Sequence, residues 1–325
     1  MKSAVHETFG DPEEVLHLGD SPTPEPGPGE VRVRTILSPI HNHDLWTVRG
    51  SYGYKPELPA IGGSEAVGTI EAVGEGVDAA MVGRRVAAAG VHGTWAESFL
   101  AKAGGVMPVP DDMPDEAAAQ LIAMPFSAIT LLEMLDVQSG DWIIQNAANG
   151  AVGRTLAALA QARGVHVINL VRRDEGVAEM EAAGIANTVS TAKDGWKDEV
   201  RALTSGAPIK AGVDSIGAQA SADLAELLAE NGLFVCFGSM TGEPMIIPSG
   251  AVIFKQLTIK GFWGAKVMPA TSPEDRKRLM GELVSRVLKG DLKLQADEIL
   301  PLSEIGRAVK ASLTPGKTGK VLLKP

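Results

Sequence analysis

Apolar and polar positions follow two rhythms along the 325-residue chain, and the rhythm changes near Pro110. Before that point alternation dominates. Val31 and Val33 alternate with Arg32 and Arg34, the pattern of a strand with one wet face. Residues 3–8, 66–73, 83–88 and 94–101 read as further strands. Gly and Pro punctuate them at intervals of about eight to twelve residues, which predicts a compact barrel-like β domain. SPTPEPGPGE (21–30) is a turn or rigid connector, HNHDLWTVRG (41–50) a short helix ending at Gly50, and GSYGYKPELPAIGG (50–63) a loop.

After Pro110 apolar residues recur at helical spacing through 115–123 and 126–135. Short apolar runs then alternate with helical stretches. Strands are expected at 142–144, 165–171, 212–216, 233–237 and 257–262, with helices at 177–183, 196–203 and 220–230. Alternating β and α with short turns predicts an α/β fold built on a doubly wound parallel sheet. A helix at 276–288 and an amphipathic piece at 302–313 return to the first domain. The expected division is therefore 1–118 with 264–325, and 119–263 between them.

The stretch 141–174, DWIIQNAANGAVGRTLAALAQARGVHVINLVRRD, brings in chemistry. A strand-length apolar run leads into the loop Asn149-Gly150-Ala151-Val152-Gly153, and a helical pattern follows, with Leu156, Leu159 and Ala160 on one side. Gly150 lets a backbone approach a pyrophosphate, and Gly153 lets the helix pack closely on the strand. Free N–H groups and the helix dipole then favour the phosphates. An ordinary strand-to-helix turn is the plainer reading, but the strand–loop–helix context favours a dinucleotide. An Asp or Glu about 20 residues beyond the glycines would select NAD through the ribose 2′-OH. Arg172 and Arg173 stand there instead. Two guanidinium groups suit a 2′-phosphate, at about 1.5–3 kcal/mol for each charge-assisted hydrogen bond. NADPH is the expected cofactor; the alternative is a pair of arginines solvated at a helix start.

Composition narrows the classes. Apolar residues make up 45% and charged residues 22%, so the chain is globular. A net charge of −10 disfavours nucleic acid and anionic membrane partners. Cys236 is the single cysteine, which excludes an internal disulfide and a cysteine-rich zinc site. The first residues lack a signal-peptide core, so a soluble cytoplasmic protein is expected.

Five scattered segments, GSYGYKPELPAIGGSEAVG, GTWAESF, QNAANGAVG, INLVRR and IFKQLTIKGFW, carry a resemblance that covers essentially the whole chain. The sequence resembles the medium-chain dehydrogenase/reductase superfamily, and within it the zinc-free trans-2-enoyl-CoA/ACP reductases of the mitochondrial type, with quinone oxidoreductases as relatives. The resemblance implies a GroES-like β-rich catalytic domain beside a Rossmann domain. It also implies NADPH-dependent reduction of the C=C bond of a 2-enoyl thioester; a quinone or enone acceptor and a non-catalytic NADPH-binding protein are the alternatives. Zinc-dependent relatives carry metal ligands where this chain has His41, Ser64-Glu65 and Met124 or Pro125, so no metal is expected. Tyr52 matches the family's catalytic tyrosine, although tyrosines in Gly/Pro loops commonly just pin the loop. Trp263 matches a tryptophan near the nicotinamide, with a core or interface aromatic as the competing reading. Ser127, Phe237, Gly238, Ser239, Met240, Phe262 and Lys320 match the cofactor lining, Lys320 being equally readable as an exposed C-terminal lysine. A small-molecule substrate, an acyl carrier protein partner and a homodimer formed through the edge strand near 257–262 are further family expectations.

Overall fold

The structure, a computed structural model, describes residues 1–317 and 319–325. Met1–Ala123 with Leu283–Pro325 form one compact unit, and Met124–Glu282 form the other.

The first unit begins β1 (Lys2–His6), α1 (Pro12–Val15), β2 (His17–Asp20), β3 (Glu30–Pro39) and α2 (Asn42–Val48). It continues β4 (Ala60–Ile61), β5 (Glu65–Val73), β6 (Arg85–Ala89), β7 (Ser98–Lys102), β8 (Met107–Pro108) and α3 (Asp115–Ala118). Strand β3 organises it, pairing antiparallel with β5 and β7. Register shifts at Arg32/Val33 and Thr35/Leu37 interrupt its ladder with β5; such irregularities bend a strand and increase its twist. The alternation read from the sequence is real: Val31 and Val33 are fully buried with Ala66, Ile70, Val86 and Phe99, while Arg32 turns outward to Glu71 and Glu25.

The second unit follows α4 (Ala123–Leu135): β9 (Trp142–Gln145), α5 (Ala151–Ala162), β10 (His166–Val171), α6 (Asp174–Ala182), β11 (Thr188–Ser190), α7 (Trp196–Thr204) and β12 (Ile209–Asp214). Then come α8 (Ala218–Leu227), β13 (Leu233–Cys236), α9 (Ser249–Lys255), β14 (Thr258–Gly261) and α10 (Gly264–Ala270), with α11 at Pro273–Lys289. Its six strands are all parallel, in the order β11-β10-β9-β12-β13-β14. That is a doubly wound sheet whose order reverses between β9 and β12, the place where such sheets accept ligands at the carboxyl ends of their strands. Ile144, Ile168, Leu170, Leu224 and Phe234 fill the core beneath it.

Back in the first unit, β15 (Ala296–Pro301), α12 (Ile305–Leu313) and β16 (Lys320–Lys324) complete the chain. Strand β16 pairs with β3 at Leu322–Pro39 and Leu323–Ser38, so the last residues complete the sheet begun by the first forty. Ile40, Leu45, Val48, Trp95, Ile305, Val309 and Leu323 pack together there. The strand expected at 212–216 runs instead from Ile209 to Asp214. Asp214 accepts from the N–H groups of Ile216 and Gly217, which turns the chain out of the sheet two residues early.

Candidate active site

In the second unit, the N-cap of α5 is Gly150, whose missing side chain leaves the helix N-terminus without a side-chain cap. The first N–H groups of the helix are thus available to an anion. A Cβ on Gly153 would lie 2.6 Å from the carbonyl oxygen of Ala148 and 2.8 Å from its Cα, so only glycine permits this approach of helix to loop. The tight turn of the loop falls at Ala147, at φ +49°. Gln145 ties the strand to the helix start, donating to Gly153 O at 2.8 Å and Asn169 Oδ1 at 2.7 Å. Together these features fit a dinucleotide pyrophosphate.

Parallel strands bring their carboxyl ends to one edge. Arg172 and Arg173 follow β10; Arg172 is exposed, and Arg173 meets Glu179 at 3.4 Å and Glu175 at 4.0 Å. Phe237, Gly238, Ser239 and Met240 follow β13, and the N–H groups of Phe237 and Gly238 donate to Asp214 O at 2.7 and 3.2 Å. Phe262 follows β14 and stacks on Phe237, ring centres 5.4 Å apart. Trp263 is next, with Lys266 over its ring at 5.4 Å. Ser127 reaches the same place: a Cβ on Gly264 would sit 2.9 Å from its Oγ. The pattern of the sequence did not signal the polar network behind this edge. Asn146 donates to Asp214 Oδ1 at 2.7 Å and accepts from Ser215 N at 2.7 Å, while Ser221 donates to Asp214 Oδ2 at 2.5 Å. With Asp214 fully buried, these bonds fix the loop after β12.

The first unit holds a second cluster, and Tyr52 and Lys320 belong to it. Helix α2 opens at His41, whose N–H donates to Asp44 Oδ2 at 3.0 Å. His41 is fully buried, and its Nε2 lies 2.7 Å from Glu65 Oε2 at the start of β5. Glu65 Oε1 accepts from the N–H groups of Ile122 and Ala123 at 2.7 and 2.8 Å. Burial pushes the Glu65 carboxyl up to about 8, against the pull of those two N–H groups. Burial, aided by the positive charge of Lys320, holds His41 well below the usual imidazole range. At neutral pH the pair therefore carries one shared proton and little net charge. His41 Nδ1 remains buried without a hydrogen-bond partner among the described residues. Lys320 Nζ approaches Ile40 O at 3.5 Å, and burial lowers its ammonium to about 8. His43 stacks on His41 at 5.1 Å and lies beside the Tyr52 ring at 5.7 Å. Tyr54 stacks on His92 at 4.1 Å.

His41 stands at the N-cap of α2, yet its ring is not solvated: a carboxylate 24 residues later in the chain meets it inside the protein. His43 keeps partial exposure but bonds Ser64 at 2.8 Å. The bond between Ser64 and Asp44 had no signature in the sequence, because their meeting depends on Ser64, just before β5, returning beside α2.

Comparison with known proteins adds the following. The Alcohol dehydrogenase GroES-like domain matches residues 27–111, and the Zinc-binding dehydrogenase family matches 151–285. The mitochondrial enoyl-[acyl-carrier-protein] reductase of Homo sapiens is 31% identical over 330 aligned positions, covering 99% of this chain and 88% of that protein. A Bacillus thuringiensis protein classed as an NADPH:quinone reductase has a TM-score of 0.92 at 29% identity, covering 100% of this chain and 98% of the other. Mycobacterial Rv1454c, solved in complex with NADPH, has a TM-score of 0.89 at 29% identity, covering 100% of both chains. As for the metal in the second family's description, His41 and Glu65 have turned their donor atoms on each other and on the backbone. No group of three or more His, Cys, Asp or Glu placed for a metal occurs among the described residues. A catalytic zinc requires three protein ligands in tetrahedral array, and the residues here do not fit one.

Proposed function

Because the chain belongs to the medium-chain dehydrogenase/reductase superfamily, we propose that it uses NADPH to reduce the C=C bond of a 2-enoyl thioester without zinc. The observation that carries this reading is the likeness to a mitochondrial enoyl-[acyl-carrier-protein] reductase along 99% of the chain. NADPH, when bound, supplies a hydride to the β-carbon of the alkene. The protein's own residues do the rest. The uncapped start of α5 and Gly150 would hold the pyrophosphate, and Arg172 with Arg173 would hold the 2′-phosphate. Ser127, Phe237, Gly238, Ser239, Met240 and Phe262 would line the cofactor, and Trp263 would border the acceptor.

As hydride arrives, negative charge grows on the thioester oxygen and the α-carbon needs a proton. Tyr52 is the acid, donating from its phenol. General acid work of this kind contributes about 10²–10⁴ in rate. Tyr52→Phe should therefore lower kcat at least about tenfold while NADPH binding, followed by fluorescence titration, is unchanged; near-normal turnover removes Tyr52 from the mechanism.

A quinone acceptor is the second reading, favoured by the likeness to the Bacillus thuringiensis protein. Crotonyl-CoA and a simple quinone, each with NADPH and with NADH, separate the two. Turnover of crotonyl-CoA with NADPH supports the thioester reading, and turnover of the quinone alone replaces it. An acyl carrier protein is the natural presenter of a long enoyl chain; its test is competition with crotonyl-CoA.

A further inference from the structure

The Ser64 hydroxyl has one hydrogen, and it is donated to Asp44 Oδ1 at 2.6 Å. Its oxygen therefore accepts from His43 Nε2, 2.8 Å away. Asp44 Oδ1, at 3.4 Å from that nitrogen, attracts the same N–H. Asp44 cannot easily turn aside, since it is buried and its other oxygen holds the His41 N–H. The geometry fixes the His43 proton on Nε2 and leaves Nδ1 as the nitrogen that exchanges protons.

The surroundings say what that exchange serves. One neighbour of the His43 ring is His41, which is sealed from solvent and engaged with Glu65. Another is the Tyr52 ring. The His43 side chain itself stays 24% exposed, so water reaches it. The titratable and charged groups facing it are His41, Asp44, Glu65 and Tyr52. An imidazole with a dictated tautomer thus lies beside the Tyr52 ring and within reach of solvent.

We infer that His43 returns the proton to Tyr52 in each turnover, an inference that rests on the acid role of Tyr52. The Tyr52 O–H bond breaks as its proton goes to the reduced acceptor, and the electron pair stays on the phenolate oxygen. Imidazolium Nδ1–H then gives its proton to that oxygen, directly or through one water. The neutral imidazole takes a proton from solvent. No electrons move in these steps, since the hydride comes from the nicotinamide cofactor. His43 acts on the acceptor only through Tyr52, so it is a relay residue.

The test compares wild type, H43Q and H43A with NADPH and either crotonyl-CoA or a quinone, because both acceptors take up protons. Gln places an amide N–H where Nε2 stood, so H43Q keeps the Ser64 bond but cannot relay. H43Q should lose about tenfold or more in kcat, keep its KM for NADPH within about twofold, and show a larger solvent deuterium isotope effect. Added imidazole should restore H43A in proportion to its concentration. An unchanged kcat in H43Q, or a loss whose isotope effect does not move and which imidazole does not relieve in H43A, overturns the relay. Turnover of the quinone alone defeats the thioester reading and leaves the His43 comparison to be decided on the quinone. If wild type reduces neither acceptor, the proposed function fails, and ¹⁵N NMR of the imidazoles decides the inference. Nε2–H with a titrating Nδ1 supports it, and the opposite tautomer overturns it.

Discussion

Arg172 is exposed at the end of β10 and forms no ion pair among the described residues, whereas Arg173 is held by Glu179 and Glu175. Exposed ion pairs are worth about 0–1 kcal/mol, so a phosphate could still recruit Arg173, but at that cost. Removing Arg172 should therefore hurt more. We expect R172A to reduce the preference for NADPH over NADH by about tenfold or more, and R173A by less, measured as kcat/KM ratios. Equal losses would restore the two arginines to equal standing. The buried pair at His41 and Glu65 makes a different prediction. Glu65 has a folded-state pKa raised from 4.5 to about 8, so between those values the folded state binds the extra proton and stability falls as pH rises. His41, lowered in the fold, acts in the opposite sense, but only below its unfolded value of about 6.5. Lys320, lowered to about 8, adds stability with rising pH only above that value. Between pH 6.5 and 8 Glu65 is thus the group that acts within this cluster. Wild type should lose up to about 1.4 kcal/mol per pH unit there, and E65Q should be flatter in thermal or urea unfolding. A wild-type curve as flat as that of E65Q would count against the shared proton. No local pattern could have disclosed this pair, because His41 and Glu65 meet only when β5 returns beside α2.

Among elements, the ones legible in sequence are those whose own pattern decides them. The unit from β9 through α5 to β10 is of this kind: an apolar run, two glycines and a helical stripe agree on one structure. Gly153 shows why. Its missing Cβ lets α5 sit on Ala148, and the atoms in the way are backbone. G153A should cost about 1–3 kcal/mol and weaken NADPH binding by pushing the helix start away. A147G serves as the control: its backbone already has φ +49°, so glycine relieves a left-handed strain of about 1–2 kcal/mol and the variant should bind NADPH normally. If both variants bind and melt like wild type, the close approach is not what shapes the loop. Elements that escaped the sequence depend on neighbours instead. Strand β11 has three residues, too few for a period, and exists through pairing with Asn169–Val171 of β10. Helix α10 contains Pro269, which argues against a helix locally. Strand β15 forms against β16, more than twenty residues later.

At the scale of the whole molecule, the two edges of the six-stranded sheet differ. At β11, Val189 and Ser190 are buried, so the edge is short and covered on its faces. At β14, Thr258, Lys260 and Gly261 are exposed, and one side of the strand has no strand partner among the described residues. The helix before it presents Ile253 at 58% and Phe254 at 80% exposure. An open parallel edge beside two bare apolar side chains is a liability for a monomer, since unpaired N–H and C=O groups template further pairing. We propose that a second copy of this chain covers it, because a two-fold axis would set the same patch against itself and stop growth. A β14-to-β14 contact of this kind would run one sheet into the other, with Phe254 covered by the partner. Interfaces of a stable dimer bury about 800 Å² on each partner, and a central aromatic typically carries a large share of the binding energy. Light scattering after size-exclusion chromatography should give about twice the 33.9 kDa chain mass for wild type and the single mass for F254D. The variant should retain its far-UV circular dichroism, since Phe254 is not part of the core. A monomeric wild type, or a dimer indifferent to F254D, would mean that this edge is protected in some other way.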